Sequence, residues 1–180
     1  MDFEVSAVNV AAMDKALGAR REEVYALISE QSRAIHRAPH AARWHSGRLA
    51  VEAWVAIVKL GGKQWLEDLN YELTAKSFGP IVTPLIKIGL TLSGSSPASI
   101  FARLGDTVTV ALRGVTFEWK AAGPSTGAET ITYPCAMPAD AVEAGWKGVF
   151  RVGSDLTGKT IRVDRFEAES DRRFRFEVSW

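Results

Sequence analysis

The sequence predicts an α+β domain in which an N-terminal helical part packs on a four-stranded antiparallel sheet, in the order helices-β-β-α-β-β. Three observations carry this. Apolar residues recur at helical spacing up to about residue 113, the period falls to two after Gly114, and one further helical stretch interrupts the alternating half. Helices gathered to one end and one face of an antiparallel sheet satisfy that order.

The elements follow in turn. Phe3 and Val5 alternate and predict a short edge strand, and Asn9 is placed to cap a brief helix ending at Gly18. From Arg20 to Arg37, Val24, Leu27, Ile28 and Ile35 share a helical face. Glu22 and Glu23 sit where the helix dipole favours acids, and Pro39 stops the run. Leu49–Leu60 is apolar almost all round and predicts a helix buried on most of its surface. Gly61-Gly62 breaks the chain, and Leu66, Leu69 and Leu73 mark the next helix, which Phe78-Gly79-Pro80 ends or kinks. Ile81–Leu92 is another apolar run with Pro84 inside. Pro97 suits the first turn of a helix through Ile100, Phe101 and Leu104. Thr107–Leu112 reads as strand by its β-branched alternation and as helix by its neighbours.

Beyond Gly114, Val115, Phe117 and Trp119 oppose Thr116, Glu118 and Lys120 on a strand. Gly123–Gly127 turns, and Ile131 and Tyr133 continue a second strand. Pro138 opens a helix with Val142, Trp146, Val149 and Phe150 on its apolar face and a small-residue stripe at Ala141, Gly145 and Gly148. Gly153–Gly158 leads to a strand at Ile161–Phe166. In the last strand Phe174, Phe176, Val178 and Trp180 alternate with Arg173, Arg175, Glu177 and Ser179. No repeat or dividing linker is visible. The expected organisation is one domain over 1–180: a variable helical extension at 1–48, a helical part at 49–113 and a ββαββ part at 114–180.

Composition narrows the function. With 47% apolar and 24% charged residues the chain is neither disordered nor fibrous. Twenty-two Lys+Arg against 21 Asp+Glu leave a net charge of +1, which argues against a dedicated nucleic-acid binder. One cysteine excludes an intramolecular disulfide framework and a Cys-rich zinc site. The Met-Asp-Phe-Glu start has no basic n-region, and Leu49–Leu60 is too short to span a bilayer and carries Glu52 and Lys59. No transmembrane segment and a cytoplasmic location are the expectation.

Five features then occur in a fixed order: a helix ending at Phe78-Gly79, the helix start Gly94-Ser-Ser-Pro97-Ala-Ser-Ile-Phe101, the helix Trp146-Lys-Gly148-Val149-Phe150, Leu156-Thr-Gly158 before the strand Thr160–Val163, and a terminal strand closing on Trp180. In this order and spacing, residues 50–180 resemble a family of domains of unknown function expanded as paralogues in myxobacteria. More distantly, the order of elements is similar to the superfamily of ligand-binding domains found in nitric-oxide sensing and Golgi transport, with its haem-binding gas sensors, four-vinyl-reductase-type domains and transport-particle subunits. The resemblance implies a helical part on an antiparallel sheet, and a hydrophobic cavity or a homodimer interface. The haem-binding branch has a His on a helix just ahead of the sheet and a Tyr-x-Ser-x-Arg motif. This sequence has no His after His45 and lacks the motif, so the resemblance implies no haem; the several Cys of the cysteine-bearing branch reduce here to Cys135.

Catalytic patterns are absent. No Ser lies in a Gly-x-Ser-x-Gly elbow, Gly61-Gly62-Lys63 lacks the spacing of a phosphate loop, and Glu67-Asp68 and Glu143 read as solvated carboxylates. His36 and His40 stand at i, i+4, but Pro39 intervenes and no Cys, Asp or Glu occurs from Gln31 to Val51, so no metal site is expected. That acid-free segment carries Arg33, Arg37, Arg43 and Arg48 around Trp44, a candidate anion patch. Six Trp residues make aromatics the remaining signal. The expected function is a non-enzymatic, cofactor-free sensory or signalling domain holding a lipid-like or other small hydrophobic ligand in a helix–sheet pocket. That pocket is expected to be bordered by Trp65, Leu69, Leu73, Phe78, Ile81, Leu85 and Phe101. The alternative is a protein-interaction adaptor acting as a homodimer or in a hetero-complex. A distant third is anion or nucleic-acid contact through the Arg/His segment 33–48.

Overall fold

A computed structural model describes residues 2–78 and 96–180. The chain begins with β1 (Glu4–Ser6), which runs into α1 (Ala7–Leu17). Ser6, three residues before the expected Asn9, is the cap: its Oγ accepts the Asn9 N–H at 3.3 Å. Gly18, at φ 54, ends the helix in a conformation that suits glycine.

The helix expected from Arg20 to Arg37 is divided. A 3₁₀ turn (Gly18–Arg20) leads to α2 (Arg21–Tyr25), and α3 begins only at Glu30 and runs to Arg37. The break has a tertiary cause. Glu52 accepts the Ser29 N–H at 2.7 Å and the Ser29 O–H at 3.0 Å, while Ser29 Oγ accepts the Ser32 N–H at 3.1 Å. Ser29 thus caps α3 under the hold of another helix. After β2 (Trp44–Ser46) the 27-residue α4 (Gly47–Leu73) joins the two predicted helices, with a kink at Gly62, whose φ of 78 and ψ of 176 are non-helical. A π-helical turn (Thr74–Phe78) follows it.

Past the undescribed stretch, which contains the predicted run Ile81–Leu92, come α5 (Pro97–Phe101), α6 (Leu104–Val108) and β3 (Leu112–Arg113). Pro97 occupies the first turn of α5 as predicted, and the ambiguous Thr107–Leu112 stretch is helix first and strand last. The sheet half comprises β4 (Thr116–Gly123), β5 (Thr126–Thr132), α7 (Ala139–Thr157), β6 (Arg162–Ala168) and β7 (Arg173–Ser179). The four strands pair antiparallel in the order β4-β5-β7-β6, so the predicted α+β architecture is the observed one. A second, three-stranded sheet places β1 between β2 and β3, with Val5 opposite both His45 and Leu112.

α7 is the middle layer. Its Trp146 and Phe150 meet the large sheet edge-on, Phe117 to Trp146 at 5.2 Å and Phe150 to Phe176 at 5.3 Å between ring centroids. Its opposite, small-residue face packs on α4. A Cβ on Gly148 would collide with the Glu67 carbonyl and come within 2.9 Å of the Tyr71 nitrogen, and one on Gly145 would reach the Trp54 ring at 2.7 Å. The two helices approach to backbone contact because those side chains are absent. Lys63 bridges the same pair at the surface, to Asp140 at 2.6 Å and Glu143 at 2.8 Å. Phe3, Val5 and Val10 join the core between α7 and the sheet, while Met13, Val24, Ile57 and Leu66 form a second core around α4. Among the described residues no helix is long and apolar enough to cross a membrane.

Candidate functional site

Between α7, the C-terminal end of α4, the short α5 and α6, and β1 the packing leaves a cavity of about 130 Å³. α7 supplies one stripe of it, Trp146, Val149, Phe150, Gly153 and Leu156, at the spacing of a single helix face. Gly153 keeps that face open: a Cβ there would lie 2.9 Å from Ile161 Cδ1. Leu73 ends α4 against the opposite side, Phe101 and Leu104 wall it from α5 and α6, Val5 from β1, and Phe3 from just ahead of β1. Among the described residues none that lines the cavity is charged.

The polar groups at its wall are few and mostly engaged. Asn70 Nδ2 donates to the Leu66 carbonyl at 3.1 Å and Thr107 Oγ1 to the Arg103 carbonyl at 2.9 Å. Tyr133 stands just past β5, fixed there because its N–H donates to the Arg172 carbonyl at 2.8 Å and the Met137 N–H to the Asp171 carbonyl at 2.7 Å. Its hydroxyl oxygen accepts the Trp146 Nε1–H at 2.9 Å. Burial drives the Tyr133 pKa far above the ordinary phenol value, so the phenol stays protonated.

Of the seven residues predicted to border a pocket, the structure brings Leu73 and Phe101 to this cavity. Trp65 and Leu69 lie with the second core, the Trp65 ring beneath the Arg20 guanidinium at 3.9 Å. Ile81, Leu85 and the Phe78 side chain fall outside the described residues. The four arginines of the candidate anion patch do not converge. Arg33 and Arg37 both turn to Glu30, at 2.9 and 3.7 Å, Arg48 reaches Asp2 at 3.8 Å, and Arg43 lines a separate surface groove beside Trp44. The segment's own lack of acids is made good by Glu30 and Asp2 from outside it. His36 is buried with both ring nitrogens unpartnered, and His45 Nε2 lies 2.6 Å from the Pro39 carbonyl. Among the described residues no three metal-ligating side chains gather.

Sequence reasoning missed two groups. Tyr133 reads in the chain as the end of a strand, yet Tyr133-x-Cys135-x-Met137 has the spacing of the Tyr-x-Ser-x-Arg motif with thiol and thioether in place of hydroxyl and guanidinium. The other is Glu129. On β5 it faces the core with Gly127 and Ile131, flanked across the strands by Trp119 and Phe176. It is fully buried, and neither carboxylate oxygen has a hydrogen-bond partner. Burial, helped by the nearby charge of Glu118, pushes its pKa up to about 8.

No family model and no curated protein matches the chain. Solved structures do. An Fe(II) unliganded H-NOX protein from K. algicida aligns with a TM-score of 0.63 at 8% identity, covering 97% of this chain and 95% of its own. A structure solved to probe haem distortion in the H-NOX family gives 0.59 at 8%, covering 97% and 94%. An oxygen-binding H-NOX domain related to soluble guanylate cyclases gives 0.52 at 8%, covering 94% and 90%. At such identities the likeness is one of fold.

The haem that this fold holds elsewhere does not fit the residues present. Haem iron takes a His, Cys, Met or Tyr axial ligand. All three histidines lie between residues 36 and 45 and none reaches the cavity. Cys135 does not line it, and Tyr133 is a protonated phenol already bonded to Trp146. Met137 alone remains, a weak acceptor with no partner ligand. The described residues of the wall offer no cation to pair with the haem carboxylates, and about 130 Å³ lies far below the ~300–1,000 Å³ of pockets for drug-sized ligands.

Proposed function

We propose that the protein is a non-enzymatic, small-molecule-binding sensory domain whose ligand is uncharged, largely apolar, and lodged in the cavity between α7, the end of α4 and α5. The observation that carries this reading is a cavity with no charged group among the described residues of its walls. Burying an unpaired charge there would cost several kcal/mol, about what an apolar ligand gains by leaving water. The fold likeness to H-NOX domains supports a sensory role, with the difference that the ligand contacts protein alone. Occupancy would be felt at once by α7, α4 and the small sheet, since Trp146, Leu73 and Val5 all line the space. The exposed large apolar side chains do not favour the adaptor reading: Val8 and Val110 lie in one groove and Leu27 and Val55 in another.

The test is a benzene titration followed through methyl NMR signals. The expected result is saturable shifts at Leu73, Leu104, Val149 and Ile161, with Leu17, Val24 and Ile28 of the second core unmoved. Unchanged cavity methyls would overturn the reading.

A further inference from the structure

Resting on that cavity reading, we propose that the ligand is a single-ring-sized neutral molecule carrying one carbonyl acceptor, which takes the Tyr133 hydroxyl proton. The size follows from the cavity: about 130 Å³ is close to the ~150 Å³ of apolar cavities that admit benzene. The acceptor follows from an unused donor. The indole N–H can only donate, so in the 2.9 Å contact between Trp146 and Tyr133 the phenol oxygen is the acceptor. Its own O–H is left pointing elsewhere and meets no acceptor among the described residues. Tyr133 is 2% exposed and lines the cavity. A buried donor without a partner is costly, and a ligand oxygen in the cavity removes that cost.

Three further features select this chemistry. The Trp146 N–H polarises the phenol it bonds to and makes its O–H the stronger donor. Thr107 Oγ1 gives its proton to the Arg103 carbonyl and Asn70 Nδ2 gives one of its two to the Leu66 carbonyl, and Asn9 and Thr74 line the wall only half-buried, so Tyr133 is the fully buried hydroxyl of the wall with no acceptor among the described residues. An anionic acceptor is disfavoured because the described residues of the lining include no Lys, Arg or His to pair with it. A ketone or aldehyde on an apolar ring satisfies the donor and keeps the rest of the cavity dry.

The test compares two probes of the same shape, cyclohexanone and methylenecyclohexane, on the wild-type protein and on Tyr133→Phe. The expected result is that Tyr133→Phe shifts the ratio of their dissociation constants by about tenfold against the ketone while methylenecyclohexane affinity stays within about twofold. Carbonyl-labelled cyclohexanone gives a second readout on the unaltered protein: its carbon signal should move to the hydrogen-bonded position on binding. Binding of both probes with an unchanged ratio, or an unshifted carbonyl signal in the bound ketone, would overturn the proposal and leave the cavity reading intact. Binding of neither probe would remove the cavity reading and this proposal together.

Discussion

The Nε1–H of Trp146 donates to the hydroxyl of Tyr133 at 2.9 Å, joining the middle helix to the strand connection at the wall of the cavity. Both side chains are 2% exposed, so water cannot replace either partner without opening the core. Tyr133→Phe leaves the indole N–H buried and unpaired and is expected to cost about 1–3 kcal/mol. Trp146→Phe removes that donor and some packing. In urea denaturation the double variant should fall short of the sum of the single ones by about 1 kcal/mol; strict additivity would show that the bond contributes nothing.

Glu129 predicts an unusual pH dependence. Its folded-state pKa of about 8 lies above the ordinary carboxylate value of 4.5, so between the two the folded protein holds a proton that the unfolded chain has released. Its contribution is fully present below about pH 4.5 and is lost progressively as pH rises to about 8. The loss by neutral pH is on the order of 2–3 kcal/mol. The expected result is a Tm that falls between pH 5 and pH 8 in the wild type and varies much less in Glu129→Gln. Equal slopes would assign the pH dependence to other groups.

His36 works in the opposite sense. Burial lowers its pKa, with the nearby His45 adding to the effect and Asp14 opposing it. Its contribution is present above the ordinary histidine value of 6.5 and is lost as pH falls through the depressed folded-state value. His36→Leu should therefore lose less stability than the wild type on acidification from pH 7 to pH 5, measured by thermal melts in the same buffers.

Gly148 is where α7 and α4 touch through their backbones. Gly148→Ala would push a methyl into the Glu67 carbonyl, which belongs to the helix itself and cannot rotate away. A loss of about 2–4 kcal/mol is expected, despite the better helix propensity of alanine. A stabilised variant would mean that the two helices do not pack as described.

The sheet half was legible in the sequence because period-two alternation says which face of each strand is buried, and β7, with Phe174, Phe176 and Val178 all buried, obeys it fully. Glu129 escaped because a carboxylate reads as solvent-facing, while the register of β5 turns it toward Trp119 and Phe176. The break before α3 was equally hidden: Glu52, 23 residues further on, takes hold of Ser29, and no local pattern reports that bond. Leu66, Leu69 and Leu73 share a helix face in the sequence, yet only Leu73, at the end of α4, reaches the cavity. The distinction depends on where α4 ends relative to α7, which periodicity does not contain.

The central claim is that the cavity admits an uncharged apolar ligand. Its most direct test is a calorimetric titration of toluene into the wild-type protein and into Leu73→Trp, whose larger ring would occupy the space itself. The account predicts saturable one-to-one binding to the wild type and none to the variant, with matching far-UV circular dichroism to show that both are folded. Absence of binding to the wild type, or equal binding to both, would contradict it.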